Sequence, residues 1–353
     1  MFLIFLPVST PTTLMHAGRY YSLKQTLHWT RKSIFIFIFT TTIPVILYEF
    51  VGIKWIAIPW FPIAIIGTAV AFYLGFKNNS SYDRLWEARK IWGAIVNASR
   101  SWGIMSLDYV TNLHAQNQLS NEELKKVHTR LIYRHIAWLK ALTHQMHVKK
   151  EWEHNDKLSA DARKFLGTDV DTMTKAEFKD ILSENEIEYV FTKKNIAAQL
   201  ISLQSKDLRS IRVEGYIDDF RHTAMEAMLV ELYTQQGKSE RIKNFPFPRQ
   251  YATMNLFFVW LFILLVPFGM LHEFDALGRY YVWLTVPFSL IISWVFHTME
   301  MIGDYSENPF EGLWNDVPIN AISRGIEIDL RDMLDEENLP KPLLPKEYYN
   351  VLT

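Results

Sequence analysis

The sequence predicts an all-α membrane protein with four transmembrane helices and a helical cytosolic part. Three observations carry this: four apolar blocks of bilayer length, a charged middle section whose apolar residues recur every three or four positions, and no competing alternation of the strand type. Whole-chain averages hide the pattern. Over 353 residues the formal net charge is -1, with 21% charged and 14% aromatic residues, values that alone would fit a soluble protein of two or three domains. The apolar residues are concentrated in the four blocks, and the charges collect between the second and third and in the C-terminal tail. The sequence has no Cys, which excludes disulfides and thiolate metal sites and leaves the redox compartment unread.

The elements follow in order. The opening MFLIFLPVS is apolar, has no basic leader and soon meets Pro, so it reads as part of an N-terminal arm (residues 1–32) rather than a signal peptide. Block one, SIFIFIFTTTIPVILYEFVG, runs from Ser33 to Gly52, and block two, WIAIPWFPIAIIGTAVAFYLGF, from Trp55 to Phe76, giving transmembrane helices 1 and 2 within residues 33–76. Block three, YATMNLFFVWLFILLVPFGML (Tyr251 to Leu271), and block four, YVWLTVPFSLIISWVFHTM (Tyr281 to Met299), give helices 3 and 4 within residues 251–301. A hydrocarbon core of about 30 Å needs about 20 helical residues, and each block supplies roughly that with almost no ionisable side chain. A buried core helix is the competing reading for any one block, and four in one chain argue against it. Tyr48, Trp55, Trp60, Tyr281 and Trp283 near the block ends suit an interfacial belt.

Lys24, Arg31 and Lys32 precede block one, Lys77, Arg84, Arg89 and Lys90 follow block two, and Arg241, Lys243 and Arg249 precede block three. The short connections hold only Lys54 and Arg279. The basic flanks therefore predict a cytoplasmic face for both termini, for residues 77–250 as a helical region and for residues 302–353 as a C-terminal segment.

Within the middle section, Ser120 with Glu123 forms a capping-box pattern ahead of Leu124, Val127, Leu131, His135, Trp138 and Leu142. Thr174 with Glu177 repeats the start signal, and Gly237 is expected to end a helix begun near Tyr216. Residues 154–172 read as the main loop.

Little in the chain points to catalysis. His144 and His147 share a helix face as a metal pair would, but a solvated face is the favoured reading because no second ligand pattern recurs. Asp83 and Glu87 lie near Arg84 and Lys90, which favours ion pairing, and His297 and Glu300 are spaced to bond each other. No phosphate-cradling Gly loop, nucleophile elbow or zinc-protease motif occurs. No enzyme activity, cofactor or nucleic-acid partner is expected.

Block two is more specific. Thr68, Phe72 and Phe76 stand at i, i+4 and i+8 on one helix face, with Gly67, Ala71 and Gly75 as a small-residue stripe beside them that would let another helix approach closely. An aromatic stripe ordinarily faces lipid or core. Here it ends at a basic mouth, and the helix continues without a breaker until Gly93.

Three stretches, LGFKNNSSYDRLWEARKIWG (residues 74–93), FPFPRQYATM (residues 245–254) and ENPFEGLWNDVPINAISRGIEIDL (residues 307–330), resemble the signature regions of the bacterial bestrophin family. The likeness extends in order and spacing over nearly the whole chain. It implies a pentameric ion channel in which five subunits surround one axial pore, embedded in a lipid bilayer and passing small monovalent ions. Carried over residue by residue, it assigns the membrane neck to Thr68, Phe72 and Phe76 and a cytosolic constriction to Phe247, just before Pro248. It also implies a partial match to the calcium clasp of eukaryotic members at Asn308 and Asp316, although Leu313 stands where that clasp has an acid and the acidic run is missing.

Phe at the lower neck positions resembles the anion-conducting eukaryotic members, whereas some bacterial relatives carry aliphatic residues there and prefer cations. Ring edges facing the axis favour anions and ring faces favour cations. The expectation is a channel favouring chloride-like anions in the bacterial inner membrane, with a sodium-selective channel of the same architecture as the first alternative. A secondary transporter would need inverted repeats or midplane charges, which the blocks lack. A non-conducting membrane scaffold is the remaining alternative.

Overall fold

The computed structural model describes residues 23–170 and 172–344, so most of the expected N-terminal arm (residues 1–22) and the end of the C-terminal segment (residues 345–353) lie outside the described residues. Every α or 3-10 element among the described residues is accompanied by no strand. The helices are α1 (Leu23–Glu49), α2 (Trp60–Asp108), α3 (Asn121–His147), α4 (Lys157–Leu166) and α5 (Glu184–Phe191). They continue with α6 (Ile196–Val213), α7 (Asp219–Asn244), α8 (Arg249–Asp275), α9 (Thr285–Ser306) and α10 (Ile319–Asp332). Among the described residues four segments are long and apolar enough to cross a membrane, one each in α1, α2, α8 and α9, the second and the last together with the 3-10 turns before them. The chain divides into two compact units, one holding the residues up to Leu85 with Pro246–Asn308 and the other Trp86–Phe245 with the residues from Pro309 on.

In the first unit α8 packs on α9 and α1, and α1 packs on α9. Phe37 of α1, Ile63, Val70 and Leu74 of α2, and Val259, Phe262, Ile263 and Val266 of α8 form one buried cluster. Lipid tails are as apolar as these side chains, so close van der Waals contact rather than the hydrophobic effect holds them. Gly67 shows this: a β-carbon there would lie 2.5 Å from the Phe262 ring, so only glycine admits it. Gly75 has nothing comparable near it and Ala71 is exposed, so of the expected small-residue stripe only Gly67 serves close packing. Pro44 and Pro267 sit inside α1 and α8, where the lost amide bond is tolerated because neighbouring helices bury them.

The second unit packs α3 against α6, α7 and α10, and α6 against α7 and α5. Ser120 caps α3 in the expected capping box with Glu123. Its inner face carries Leu131, Ile132, Trp138 and Leu142, all fully buried. Polar groups on that face are partnered: His135 bonds Ser99 Oγ at 2.9 Å, Trp138 donates to Gln236 at 2.9 Å, and Arg134 reaches Glu186, Gln204 and Asp207. Burial would raise the Asp207 carboxyl, but donors from Arg130 and Arg134 outweigh it and hold the group below the usual carboxylate range.

Three boundaries differ from the sequence expectation. The loop of residues 154–172 contains α4, started by Asp156, whose carboxylate accepts from the amides of Leu158 (3.0 Å) and Ser159 (3.3 Å), and ended by Gly167 at φ 75°. Gly237 does not end α7, because Ser239, Ile242 and Lys243 are buried one turn further on and their packing outweighs the roughly 1 kcal/mol a helical Gly costs. Thr174 and Glu177 do form a capping box, but it opens only the 3-10 turn Lys175–Phe178.

Helix α2 runs unbroken for 49 residues, through Gly93, and at 1.5 Å per residue it is about 74 Å long. Its buried positions explain this. Ile63, Gly67, Val70, Leu74, Lys77 and Ser81, then Ala88, Ile91, Ile95, Ala98 and Trp102, are spaced alternately by four and three, so one continuous seam lies on one face.

Burial holds the His135 imidazole down at about 3, and burial followed by the nearby Lys243 ammonium does the same for His147. Both are neutral in the folded chain and take protons when it unfolds below their ordinary value. The stability they contribute is therefore complete above about pH 6.5 and lost as pH falls from there towards 3, by up to about 1.4 kcal/mol per pH unit for each. The thermal midpoint of detergent-purified protein should drop between pH 7 and pH 5, and His135→Leu should flatten that slope by up to about 1.4 kcal/mol per pH unit, whatever it does to the midpoint at pH 7. An unchanged slope would contradict the assignment.

Candidate functional site

The line proposed from sequence is present on α2 as an open face. Thr68 is exposed, Phe72 is 70% exposed and Phe76 58%, opposite the buried seam of Val70, Leu74 and Lys77. The two phenyl rings touch edge to face, 4.7 Å between centroids at 86°. The Thr68 hydroxyl donates back to Ala64 O at 2.9 Å, which fixes its rotamer and leaves both lone pairs of its oxygen open. Exposure alone does not mark a pore, since Phe35, Phe39 and Phe257 are also open, as lipid-facing side chains of a membrane unit must be. What sets the α2 line apart is its polar continuation: one turn beyond Phe76 the same exposed face carries Asn79, Ser80 and Asp83.

The three signature stretches meet at one carboxylate. Glu307, from the third, accepts from Arg249 of the second at 2.6 Å, and its backbone carbonyl accepts from Nε of Arg84 of the first at 2.8 Å. Arg249 also turns back to the carbonyl of Phe247 at 3.0 Å. Burial raises the Glu307 carboxyl, and the Arg249 guanidinium partly offsets this. Chain segments far apart in sequence are thus tied together beside the end of α9, which is a physical reason for these residue types to occur together.

Several site expectations change. Lys77 is not a solvated flank: it is buried and bonds Glu300 at 2.6 Å. Glu87 pairs with Arg241 of α7 rather than within its own helix. His297 bonds Ser33 at 2.8 Å and not Glu300, whose oxygens are taken by Lys77 and Asn255. Phe247 is 6% exposed, whereas Phe245, two residues earlier, is 67% exposed.

The calcium-clasp residues fall in different units, Asn308 at the end of the first and Asp316 in the second. Asp316 is buried and accepts from the Leu313 amide at 3.0 Å; burial, then the neighbouring Glu311 charge, drives its carboxyl well above the usual range. The cation in that neighbourhood is Lys243, whose ammonium bonds Glu153 and the Phe310 carbonyl at 3.1 Å. Among the described residues no group of three His, Asp or Glu side chains is placed to hold a metal ion. That statement includes His144 and His147.

Sequence reasoning passed over Asn255 and read Lys77 and Glu300 separately. The available signal was charge complementarity: a lone Lys at the end of one apolar block and a lone Glu at the end of another.

A family model described as bacterial/fungal bestrophin protein matches residues 24–332. A voltage-dependent anion channel-forming protein of Ralstonia nicotianae is 30% identical over 279 residues, 79% of this chain and 78% of the relative. One of Escherichia coli (strain K12) is 27% identical over 305 residues, 86% and 85%. Among solved structures, a bacterial bestrophin homolog from Klebsiella pneumoniae has the same fold, with a TM-score of 0.71 at 23% identity, covering 86% of this chain and 98% of the other.

The different exposure of the two phenylalanines predicts different costs. Phe247→Ala should destabilise the purified protein by about 3–5 kcal/mol as a core truncation. Phe245→Ala should stay within about 0.5 kcal/mol. Equal midpoints for the two in thermal unfolding would contradict the burial difference.

Proposed function

The chain belongs to the bacterial and fungal bestrophin family, and from that premise we propose that it is a passive, homopentameric channel for small monovalent ions, favouring anions, with Thr68, Phe72 and Phe76 lining its neck. Membership sets it among channel-forming proteins and not among enzymes. The relatives that match over most of their length are named for voltage-dependent anion channel formation, which supports the anion preference. The single observation that supports the neck assignment is that the open Thr68–Phe72–Phe76 line continues on the same face into the exposed polar residues Asn79, Ser80 and Asp83.

Five copies of such a line around an axis would make an apolar constriction. Water leaves a narrow apolar pore readily, so a small change in radius or polarity switches conduction by wetting and drying. Ring orientation then sets ion preference: a ring edge or face acts on an ion with roughly 0.5–2 kcal/mol, so five rings turned alike suffice for a preference of tenfold or more. The Thr68 hydroxyl gives its proton to the Ala64 carbonyl, so it can replace an anion's lost hydration only by turning that proton into the pore.

A second constriction at Phe247 belongs to the same proposal. Its ring would have to act from a packed position, since the chain buries it. The basic residues Arg31, Lys32, Arg89 and Lys90 support insertion in the bacterial inner membrane with both termini and the charged helical region cytoplasmic.

Purified protein in liposomes should pass chloride down its gradient, and Phe72→Ala with Phe76→Ala should raise that flux roughly tenfold by widening and wetting the neck. No flux from wild type would favour the scaffold alternative, and unchanged flux in the double variant would overturn the neck assignment.

A further inference from the structure

One residue beyond Phe76 the buried seam of α2 changes character. Lys77 follows Ile63, Val70 and Leu74 on that face, yet its side chain is only 2% exposed. Its ammonium donates to Glu300 Oε1 on α9 at 2.6 Å, with Asp304 Oδ1 at 3.8 Å, and the other Glu300 oxygen accepts from Asn255 on α8. The neighbouring Asn78 donates to the Met299 carbonyl at 3.1 Å and lies against the α-carbon of Gly303, where any β-carbon would collide with its side-chain oxygen. Three helices are therefore joined at one level, by a charge pair, an amide and a glycine contact, immediately beside the exposed Phe76.

Packing alone does not require this. Replacing a buried ion pair by apolar side chains of similar volume is often neutral or stabilising, whereas removing one partner costs about 3–5 kcal/mol because a charge is left buried. What the pair adds is direction. Apolar contacts along the rest of the seam tolerate small rotations, while a bond of 2.6 Å between two buried charges fixes the rotation of α2 at Lys77. Phe76, adjacent on the helix and facing out, takes its direction from that rotation.

We propose that Lys77, Glu300 and Asn255 are positioning residues that set the orientation of the Phe76 ring, and with it the conductance of the neck. This rests on the reading that α2 lines the pore. A buried ion pair serving assembly alone would affect yield and melting but not the current through channels that do assemble. A positioning role moves the current itself. With Glu300 neutralised, the Lys77 charge is relieved by turning α2 towards water, which swings Phe76; with Lys77 replaced, α2 loses the bond to α9 that fixes its rotation and Phe76 is again free to swing. With both removed, no charge is left to drive the turn.

The test is single-channel recording in planar bilayers, in symmetric potassium chloride, of wild type, Glu300→Gln, Lys77→Met, Lys77→Met with Glu300→Met, and Phe72→Ala with Phe76→Ala. Each is first checked for assembly by size-exclusion chromatography. The two single variants should change unitary conductance by roughly threefold or more, and the apolar double should return close to wild type, a non-additivity expected of coupled positions. Unchanged conductance in assembled single variants would overturn the proposal, as would a double variant no closer to wild type than the singles. Should the singles fail to assemble, Asn255→Ser carries the test, because it leaves the ion pair intact: an altered unitary current supports the positioning role and an unaltered one overturns it. The Phe72→Ala, Phe76→Ala channel separates the two levels. If it conducts as wild type does, the neck reading fails; if it differs while the Lys77 and Glu300 variants do not, only the positioning role fails.

Discussion

Helix α2 keeps one face dry along its length. In α2 that face is the seam from Ile63 to Trp102, and its regular alternation of four- and three-residue steps is the constraint on which the rest depends. Because the seam consumes one side of the helix, the other side is left open, and on the apolar part of that open side stand Thr68, Phe72 and Phe76. The proposed neck line is thus the complement of the packing line. Changing the seam's register by two residues, a turn of about 200°, would carry the exposed phenylalanines inward and break both at once.

The seam also explains why charges occur where lipid-like packing would be expected. Its apolar run is interrupted by Lys77 and Ser81, then by Arg84, at the level where α2 meets the ends of α8 and α9. Each cation there finds an oxygen of α9 or of the turn after it: Glu300 for Lys77 and the Glu307 carbonyl for Arg84, with Arg249 and Asn255 completing the partners from α8. Buried charges carry a large desolvation cost, which is the ground for the proposal that this pair is held for direction and not for net stability. Tight close-packing at Gly67 against Phe262 does the same for the apolar half by steric means.

Much of this was legible in the sequence. The four membrane segments, the all-helical class, the Ser120 cap and the family likeness follow from block length, periodicity and local motifs, all of which are properties of contiguous residues. What was missed depends on partners far away in the chain. Lys77 read as a headgroup-facing flank because nothing nearby reveals Glu300, more than two hundred residues later. Gly237 read as a stop because the side chains that hold α7 together past it are buried by other helices. The α4 segment is the reverse case: Asp156 and Gly167 are legible end signals, and the density of polar residues between them obscured the helix. The Phe247 constriction came from resemblance, which transfers position but not exposure, and the chain buries that ring while leaving Phe245 open.

The open face of α2 is proposed to conduct anions passively. Bilayer recording of purified wild-type protein under a sodium chloride gradient tests it most directly. The predicted result is discrete openings whose reversal potential lies towards the chloride equilibrium potential and shifts with the gradient. A reversal potential following the sodium gradient, or a current that saturates as a carrier's would with no discrete openings, would contradict it.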